Sequence, residues 1–152
     1  MQSFKIIKPI HILTPYVRYY WILEDGADVS VSERTLPTGC IQLVFHRGKR
    51  LLLVGKKESQ PQAFICGQCL NFSDVMSAGK IEMLTVVFQP YAARAILQLP
   101  LKFFYGELIA VDAIEDLELS ILSRKVIEAD DHETCIRLIE QFLIHRLYRF
   151  DG

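Results

Sequence analysis

Residues 79–108 read G-K-I-E-M-L-T-V-V-F-Q-P-Y-A-A-R-A-I-L-Q-L-P-L-K-F-F-Y-G-E-L, and this stretch decides the fold. Its first part, residues 81–88, is rich in β-branched and apolar side chains and predicts a strand. Pro90 suits the first turn of a helix, because a backbone N–H at that position has no partner within the helix and proline has no N–H to satisfy. A short apolar helix is expected to run from Pro90 to Pro100. The hydrophobic period therefore changes here from two residues to about 3.6.

The chain before this junction predicts a β-rich unit. Short apolar segments alternate with turn signals, and the predicted strands are 17–23, 29–36, 41–46, 51–54, 64–66, 72–76 and 81–88. Residues 55–62 are polar, contain a proline and predict a mobile loop. Short strands at this regular spacing are typical of a small antiparallel barrel or sandwich.

The chain after the junction predicts helices. Asp112 and Glu115 fit a capping box at the start of one helix, and a similar Asp130-Asp-His-Glu133 segment precedes the last helix. The first of these helices has a predicted apolar face made of Leu117, Ile121, Leu122 and Val126. The expected fold class is α+β: one domain, with a β-barrel over about residues 1–89 and a helical segment over about 90–152.

Composition and charge argue against two classes of function, nucleic-acid binding and membrane insertion. The 152 residues fit one domain, and the net charge of −1 gives no basic excess to neutralise phosphates. We therefore expect no DNA binding by this chain alone. The N-terminus lacks a secretory signal and the apolar runs are shorter than a membrane span, which predicts a cytoplasmic protein with no membrane partner. The four cysteines are expected to be reduced thiols.

Three landmarks, in order, carry a resemblance to a known family. The first is Pro15-Tyr-Val-Arg-Tyr-Tyr-Trp21, and the second is Leu36-Pro-Thr-Gly-Cys-Ile-Gln-Leu-Val-Phe45. The third comprises Gly67, Gly79 and Val86-Val-Phe-Gln-Pro90 with the helix that follows. Together they resemble the N-terminal sensing domain of bacterial transcription regulators of the AraC/XylS family. Thr38 departs from that family's pattern, which has an acidic residue at this position.

The resemblance implies a cupin-like antiparallel β-barrel followed by helices that mediate dimerisation. It implies an effector-sensing domain that forms a homodimer, senses an unknown small molecule, and reaches promoter DNA only through a C-terminal helix-turn-helix domain absent from residues 1–152. The resemblance carries over no catalytic residue, and we predict no cofactor or metal. The alternative from another class is a stand-alone cupin-like small-molecule-binding protein or enzyme.

Two sets of residues are candidates for function. Aromatic side chains on the predicted strands are expected either to line a ligand pocket or to fill the barrel core: Tyr19, Trp21, Phe45, Phe64, Phe72 and Phe88. An apolar stripe on the last helix is the predicted dimer interface: Ile136, Ile139, Leu143, Leu147 and Phe150. A second stripe, formed by Cys135, Leu138 and Phe142, lies beside it.

One motif invites a chemical interpretation. Cys66-Gly-Gln-Cys69 has the spacing of a zinc half-site or a redox pair. A structural zinc needs four ligands and no second such pair follows, so we predict no metal and leave a redox role open. His46, at the end of the predicted strand 41–46, is a candidate ligand or general base, but the four histidines are too scattered along the chain to predict a cupin metal centre.

Overall fold

The computed structural model describes residues 2–25, 41–48, 52–53, 58–59, 61–66, 75–76, 81–89, 92–98 and 109–151. Within these ranges the chain forms strands first and helices last, which confirms the α+β class. The strands are β1 (Gln2–Ile7), β2 (Val17–Asp25), β3 (Gln42–His46), β4 (Leu52–Leu53), β5 (Glu58–Ser59), β6 (Ala63–Cys66), β7 (Val75–Met76), β8 (Ile81–Phe88) and β9 (Ile109–Ala110). The helices are α1 (Ala92–Leu97), α2 (Leu117–Glu128) and α3 (His132–Asp151).

A six-stranded antiparallel sheet is the centre of the fold. Its strand order is β1-β2-β8-β3-β6-β9, and the described strands leave it open rather than closed on itself. Strand β8 lies between β2 and β3 and pairs with both along most of its length. The predicted strand 81–88 is therefore confirmed, and it is a central strand. This explains why residues 83–88 are all buried and, apart from Thr85, apolar, because both faces of the strand are covered there.

Strand β1 was not predicted from the sequence. It forms one edge of the sheet, pairing with β2 from Gln2 opposite Asp25 to Ile7 opposite Tyr20. An edge strand has a partner on one side only and carries more polar residues, so its periodic signal is weak. A single 3-10 turn at His11–Leu13 connects β1 to β2.

A second, smaller sheet has the order β5-β4-β7. Strand β5 falls inside the segment 55–62 that the sequence predicted as a mobile loop, so that prediction was wrong for Glu58–Ser59. Residues 29–36, predicted as a strand, lie outside the described residues.

Helix α2 starts later than predicted. Asp112 lies in a 3-10 turn, Val111–Ala113, and extended backbone at Ile114 separates this turn from α2. The N-cap is Asp116, whose Oδ1 accepts a hydrogen bond from the Leu119 N–H at 3.1 Å. The capping box assigned to Asp112 and Glu115 was therefore wrong.

The later start also changes which face of α2 is buried. Leu119, Leu122 and Val126 face the core, whereas Leu117 is 75% exposed and Ile121 is 40% exposed. Two of the four residues predicted for the apolar face thus lie at the surface. Ser123 is also buried, and its hydroxyl is satisfied because it donates a hydrogen bond to the Leu119 carbonyl one turn earlier, at 3.0 Å.

Helix α3 begins close to where the sequence placed it. Asp131 is its cap: Oδ1 accepts a hydrogen bond from the Thr134 N–H at 2.7 Å, which holds the pKa of the Asp131 carboxyl below its ordinary value. The helix runs antiparallel to α2, since Cys135 near its start contacts Val126 and Arg146 near its end contacts Asp116. Both helices contribute to the hydrophobic core against the sheet. None of the described helices is both long and apolar enough to cross a lipid bilayer.

A buried arginine joins the helices. Arg146 donates to both carboxylate oxygens of Asp116, at 2.7 and 2.8 Å, and to the Ile96 carbonyl of α1 at 3.2 Å. Its guanidinium also stacks on the Phe142 ring, 4.7 Å from the centroid. One side chain of α3 thereby fixes the start of α2 and the end of α1.

Candidate functional site

The sheet has two buried faces, and they differ in character. The helix side carries a hydrophobic core that packs against α1, α2 and α3. The opposite side, here called the far face, belongs to the alternate positions of β2, β3, β6 and β8. The buried residues of the far face are Trp21, Leu23, Gln42, Val44, His46, Phe64, Cys66, Met83, Thr85 and Val87.

The strand register arranges the far face in rows. Trp21 lies opposite Thr85, and Thr85 lies opposite Val44 on the next strand. Val44 in turn lies opposite Phe64. Because side chains directly opposite each other in an antiparallel pair point to the same side, these four form one continuous row.

The far face differs from an ordinary core in its polar groups. Gln42 is 4% exposed, and His46 and Thr85 are fully buried. Thr85 Oγ1 has no hydrogen-bond partner within the described part of the chain. The His46 ring lies 5.7 Å from that of Phe64, tilted by 36°. Burying such groups costs free energy unless they are satisfied, so a purely structural core favours aliphatic residues here.

The six aromatic residues predicted for a ligand pocket do not form one set. Trp21 and Phe64 lie on the far face, and Tyr19, opposite Val87, shares that side. Phe45 and Phe88 lie in the core beneath the helices. Phe72 lies outside the described residues.

The polar far-face residues were only partly found from the sequence. His46 was singled out, but Gln42 and Thr85 were not. Gln42, Val44 and His46 occupy alternate positions of β3, and this spacing already places them on one face. Every residue of β3 is buried, however, so the usual apolar-polar alternation does not mark which face is which.

The described cysteines are free thiols, as expected. Burial raises the pKa of Cys66, on the far face, to about 12, so this sulfur stays protonated near neutral pH. Burial also raises the pKa of Cys135, whose Sγ lies 3.3 Å from the Val126 carbonyl oxygen. Cys40 and Cys69 lie outside the described residues.

A cleft opens on the helix side between β1, β2 and α3. It has a volume of about 540 Å³ and is lined by Ile7, Ile10, Ile22, Ile136 and Ile144, with charged residues that include Lys5, Glu133 and Arg137. Glu140 contributes a carboxylate to this cleft, and its Oε2 accepts hydrogen bonds from the Ile10 N–H at 2.9 Å and the Tyr20 hydroxyl at 3.0 Å. Burial, followed by the charge of Glu140, raises the pKa of Tyr20 well above its ordinary value.

Charged residues meet where α2 turns into α3, at a place called here the ion-pair corner. Glu24 and Glu82 are directly opposite each other on β2 and β8. His132 Nε2 lies 3.1 Å from Oε1 of each carboxylate. Arg47 Nη1 lies 3.4 Å from Glu82 Oε1, and the same guanidinium donates to the carbonyls of Val126 and Ala129 at the end of α2. None of these contacts was foreseen from the sequence.

The stripe predicted as a dimer interface lies mainly inside the domain. Ile139 and Leu143 are fully buried against the chain's own core, and Ile136 and Leu147 pack partly against it. The prediction is therefore wrong for Ile139 and Leu143, which cannot contact a second copy while the domain is folded. It stays a prediction for Ile136 and Leu147, which are only partly buried. The physical reason is that α3 must cover the sheet between α2 and β1. The side chain of Phe150 lies outside the described residues.

Comparison with known proteins gives a family but no activity. No curated protein matches the chain. A family model matches residues 5–110, a region that contains the described strands from β2 to β9 together with α1. This match covers more than half of the sequence, so the chain belongs to the family described as a domain of unknown function, DUF6597.

Proposed function

We propose that this domain is the effector-sensing part of a bacterial transcription regulator of the AraC type, and that its sheet curves into a cupin-like barrel around the far face. The observation that carries the proposal is the set of buried polar groups on that face, on the side away from the helices. Binding pockets are mostly apolar with a few polar groups that orient a ligand, and the far face has this composition.

The chemistry of the far face favours an uncharged effector. Its buried residues, as described, include no lysine, arginine, aspartate or glutamate. Its polar groups are the Trp21 indole, the Gln42 amide, the His46 imidazole and the Thr85 hydroxyl. Hydrogen-bonding groups beside aromatic rings and the Cys66 sulfur suit a small molecule with a flat apolar part and neutral polar substituents.

Strand β2 supplies a route from this face to the helices. Trp21 is on the far face, whereas its neighbours Tyr20 and Ile22 lie on the helix side. The Tyr20 hydroxyl donates to Glu140 of α3. An effector that repositions β2 would therefore shift α3, and it would bias the domain toward one arrangement by its differential affinity for the two.

The output of the proposed regulator needs a second copy and a DNA-binding domain. Since Ile139 and Leu143 are buried, the homodimer contact moves in this proposal to exposed apolar side chains, Leu117 and Ile121 on α2 and Tyr148 on α3. Leu117 and Tyr148 are chain neighbours of Glu118 and Arg149, which form an ion pair at 2.8 Å. Promoter binding would come from a separate helix-turn-helix domain.

Trp21 makes the ligand hypothesis directly testable, because it is the only tryptophan in the chain. A panel of small uncharged metabolites is screened by tryptophan fluorescence and thermal unfolding. A true effector raises the unfolding temperature and changes the emission of Trp21. Thr85→Val, which replaces the hydroxyl with a methyl group, should weaken binding about tenfold, the loss of one hydrogen bond. Ser123→Ala, on the buried side of α2, is the matched control.

Two results would contradict the proposal. One is an effector whose affinity is unchanged by Thr85→Val and by Gln42→Leu, which would place the ligand elsewhere. The other comes from the gene beyond the codon for Gly152. A reading frame that continues into a domain without helix-turn-helix units would remove the link to transcription.

A further inference from the structure

We propose that the ion-pair corner is a binding site for a divalent transition metal, with His132, Glu24 and Glu82 as its three protein ligands. One imidazole nitrogen and two carboxylate oxygens converge from three separate elements, and the three ligand atoms lie within 4.8 Å of one another. The inference is independent of the effector proposed for the far face, because these residues lie on the opposite side of the sheet.

The distances suit a shared metal ion. Zinc binds histidine nitrogen and carboxylate oxygen at about 2.0–2.2 Å, so two ligand atoms of a tetrahedral site lie about 3.4 Å apart. Here Nε2 of His132 is 3.1 Å from Oε1 of Glu24 and 3.1 Å from Oε1 of Glu82. Lengthening each of these two distances by about 0.3 Å would match the spacing of a tetrahedral zinc site. Water would occupy the fourth position, as it does in open zinc sites.

The protein groups alone leave this arrangement poorly compensated. A ring nitrogen carries at most one hydrogen, and one N–H cannot point well at two carboxylates that are equally distant from it. Glu24 and Glu82 also face each other directly across β2 and β8. Like charges in that position are destabilising. A metal ion in place of the single hydrogen would bond to both oxygens at once.

The charge balance also leaves room for a cation. Of the two glutamates, Arg47 forms an ion pair with Glu82, at 3.4 Å, and the rest of its guanidinium is bound to carbonyls at the end of α2. Two glutamates and one arginine give a local charge of −1, so the corner attracts positive charge. The Glu24 side chain is 43% exposed and that of His132 is 21% exposed, which leaves the corner open to ions from solution.

The ligand types point to the class of metal. A mixed imidazole and carboxylate set suits zinc and neighbouring first-row metals, whereas magnesium and calcium prefer oxygen alone. The site would join the first residue of α3 to the two strands beneath it. Metal occupancy would therefore set how firmly the α2–α3 corner is held on the sheet.

The test is calorimetric titration of the whole chain with Zn²⁺, together with thermal unfolding. One zinc should bind per chain and raise the unfolding temperature. Glu24→Gln and His132→Asn should each weaken binding by more than about tenfold, since loss of even an outer-shell partner has effects of that size. Glu133→Gln and His145→Asn, exposed changes on the same helix, should bind zinc as the native chain does. Mg²⁺ should bind far more weakly.

The cysteines need a separate control, because Cys66 and Cys69 also have zinc-binding spacing. Co²⁺ is used as a coloured substitute, and thiolate ligands produce strong near-ultraviolet charge-transfer bands that nitrogen and oxygen ligands lack. The proposal is overturned if the native chain binds no zinc, if Glu24→Gln binds it unchanged, or if the cobalt spectrum shows thiolate bands that disappear in Cys66→Ser. Circular dichroism of each variant confirms that it is folded.

Discussion

Replacing Arg146 with methionine tests how the helical segment is held together. Methionine keeps an unbranched apolar side chain but removes the guanidinium. Asp116 then loses the two hydrogen bonds at 2.7 and 2.8 Å, and the Ile96 carbonyl loses its donor. The stacking on Phe142 disappears as well. The variant leaves a carboxylate without its partner at the start of α2.

The magnitude follows from burial. Removing one partner of a buried ion pair costs about 3–5 kcal/mol, because the remaining charge is left uncompensated. The side chain of Arg146 is only 6% exposed, but that of Asp116 is 18% exposed and retains some hydration. The lower end, about 3 kcal/mol, is therefore expected. For a domain of this size that corresponds to a fall of about 6–12 °C in the unfolding temperature.

The assay is thermal and urea unfolding followed by circular dichroism. Arg149→Met is the matched control, since Arg149 lies one turn away on α3 and its ion pair with Glu118 is at the surface. It should change stability little, because exposed pairs contribute little. Adding Asp116→Asn to Arg146→Met should recover part of the loss, since asparagine also caps helices. If Arg146→Met unfolds within about 1 kcal/mol of the native chain, the role assigned to this arginine is wrong.

Three further predictions concern other buried groups. Leu143→Ala should lower the free energy of unfolding by about 2–5 kcal/mol, because the side chain is fully buried. Urea titration at several protein concentrations measures this change. If the variant loses a dimer but keeps its stability, Leu143 belongs to a dimer interface and the core assignment is wrong. Tyr20→Phe should reduce the loss of stability that the native chain shows above about pH 10. The pKa of Tyr20 is raised in the native state. The contribution of Tyr20 to the free energy of unfolding is therefore fully present below the ordinary tyrosine pKa, and it falls at higher pH as the hydroxyl ionises in the unfolded chain. Native Cys66 should resist alkylation at pH 8 because its pKa is about 12; peptide mass mapping before and after unfolding checks this, and rapid native labelling would contradict it.

Local features of the sequence predicted several elements correctly. The apolar run at residues 81–88 is strand β8, and the helix after Pro90 is α1. The broad apolar stripe of α3 was also real. Such features, for example side-chain periodicity and the geometry of proline, depend only on residues within a few positions of one another. They can therefore be predicted from the sequence alone.

Which surface an element covers was decided only by the tertiary structure. The apolar stripe of α3 suggested an interface between two chains, yet Ile139 and Leu143 complete the core of one. Phe45 and Phe64 are equally hydrophobic, but they lie on opposite faces of the sheet. A strand buried on both sides has lost the contrast between polar and apolar positions, and that contrast is the signal a sequence offers.

The charged sites show the same limit most clearly. Residues 24, 82 and 132 are far apart in the chain, and each is an ordinary surface residue type. They meet because β2 and β8 pair in a register that sets Glu24 opposite Glu82, and because α3 begins above that pair. Local propensity determined that these strands and this helix would form. The pairing of distant segments depends on the packing of the whole chain. This pairing determined which charged side chains lie close enough together to form ion pairs or to bind a ligand.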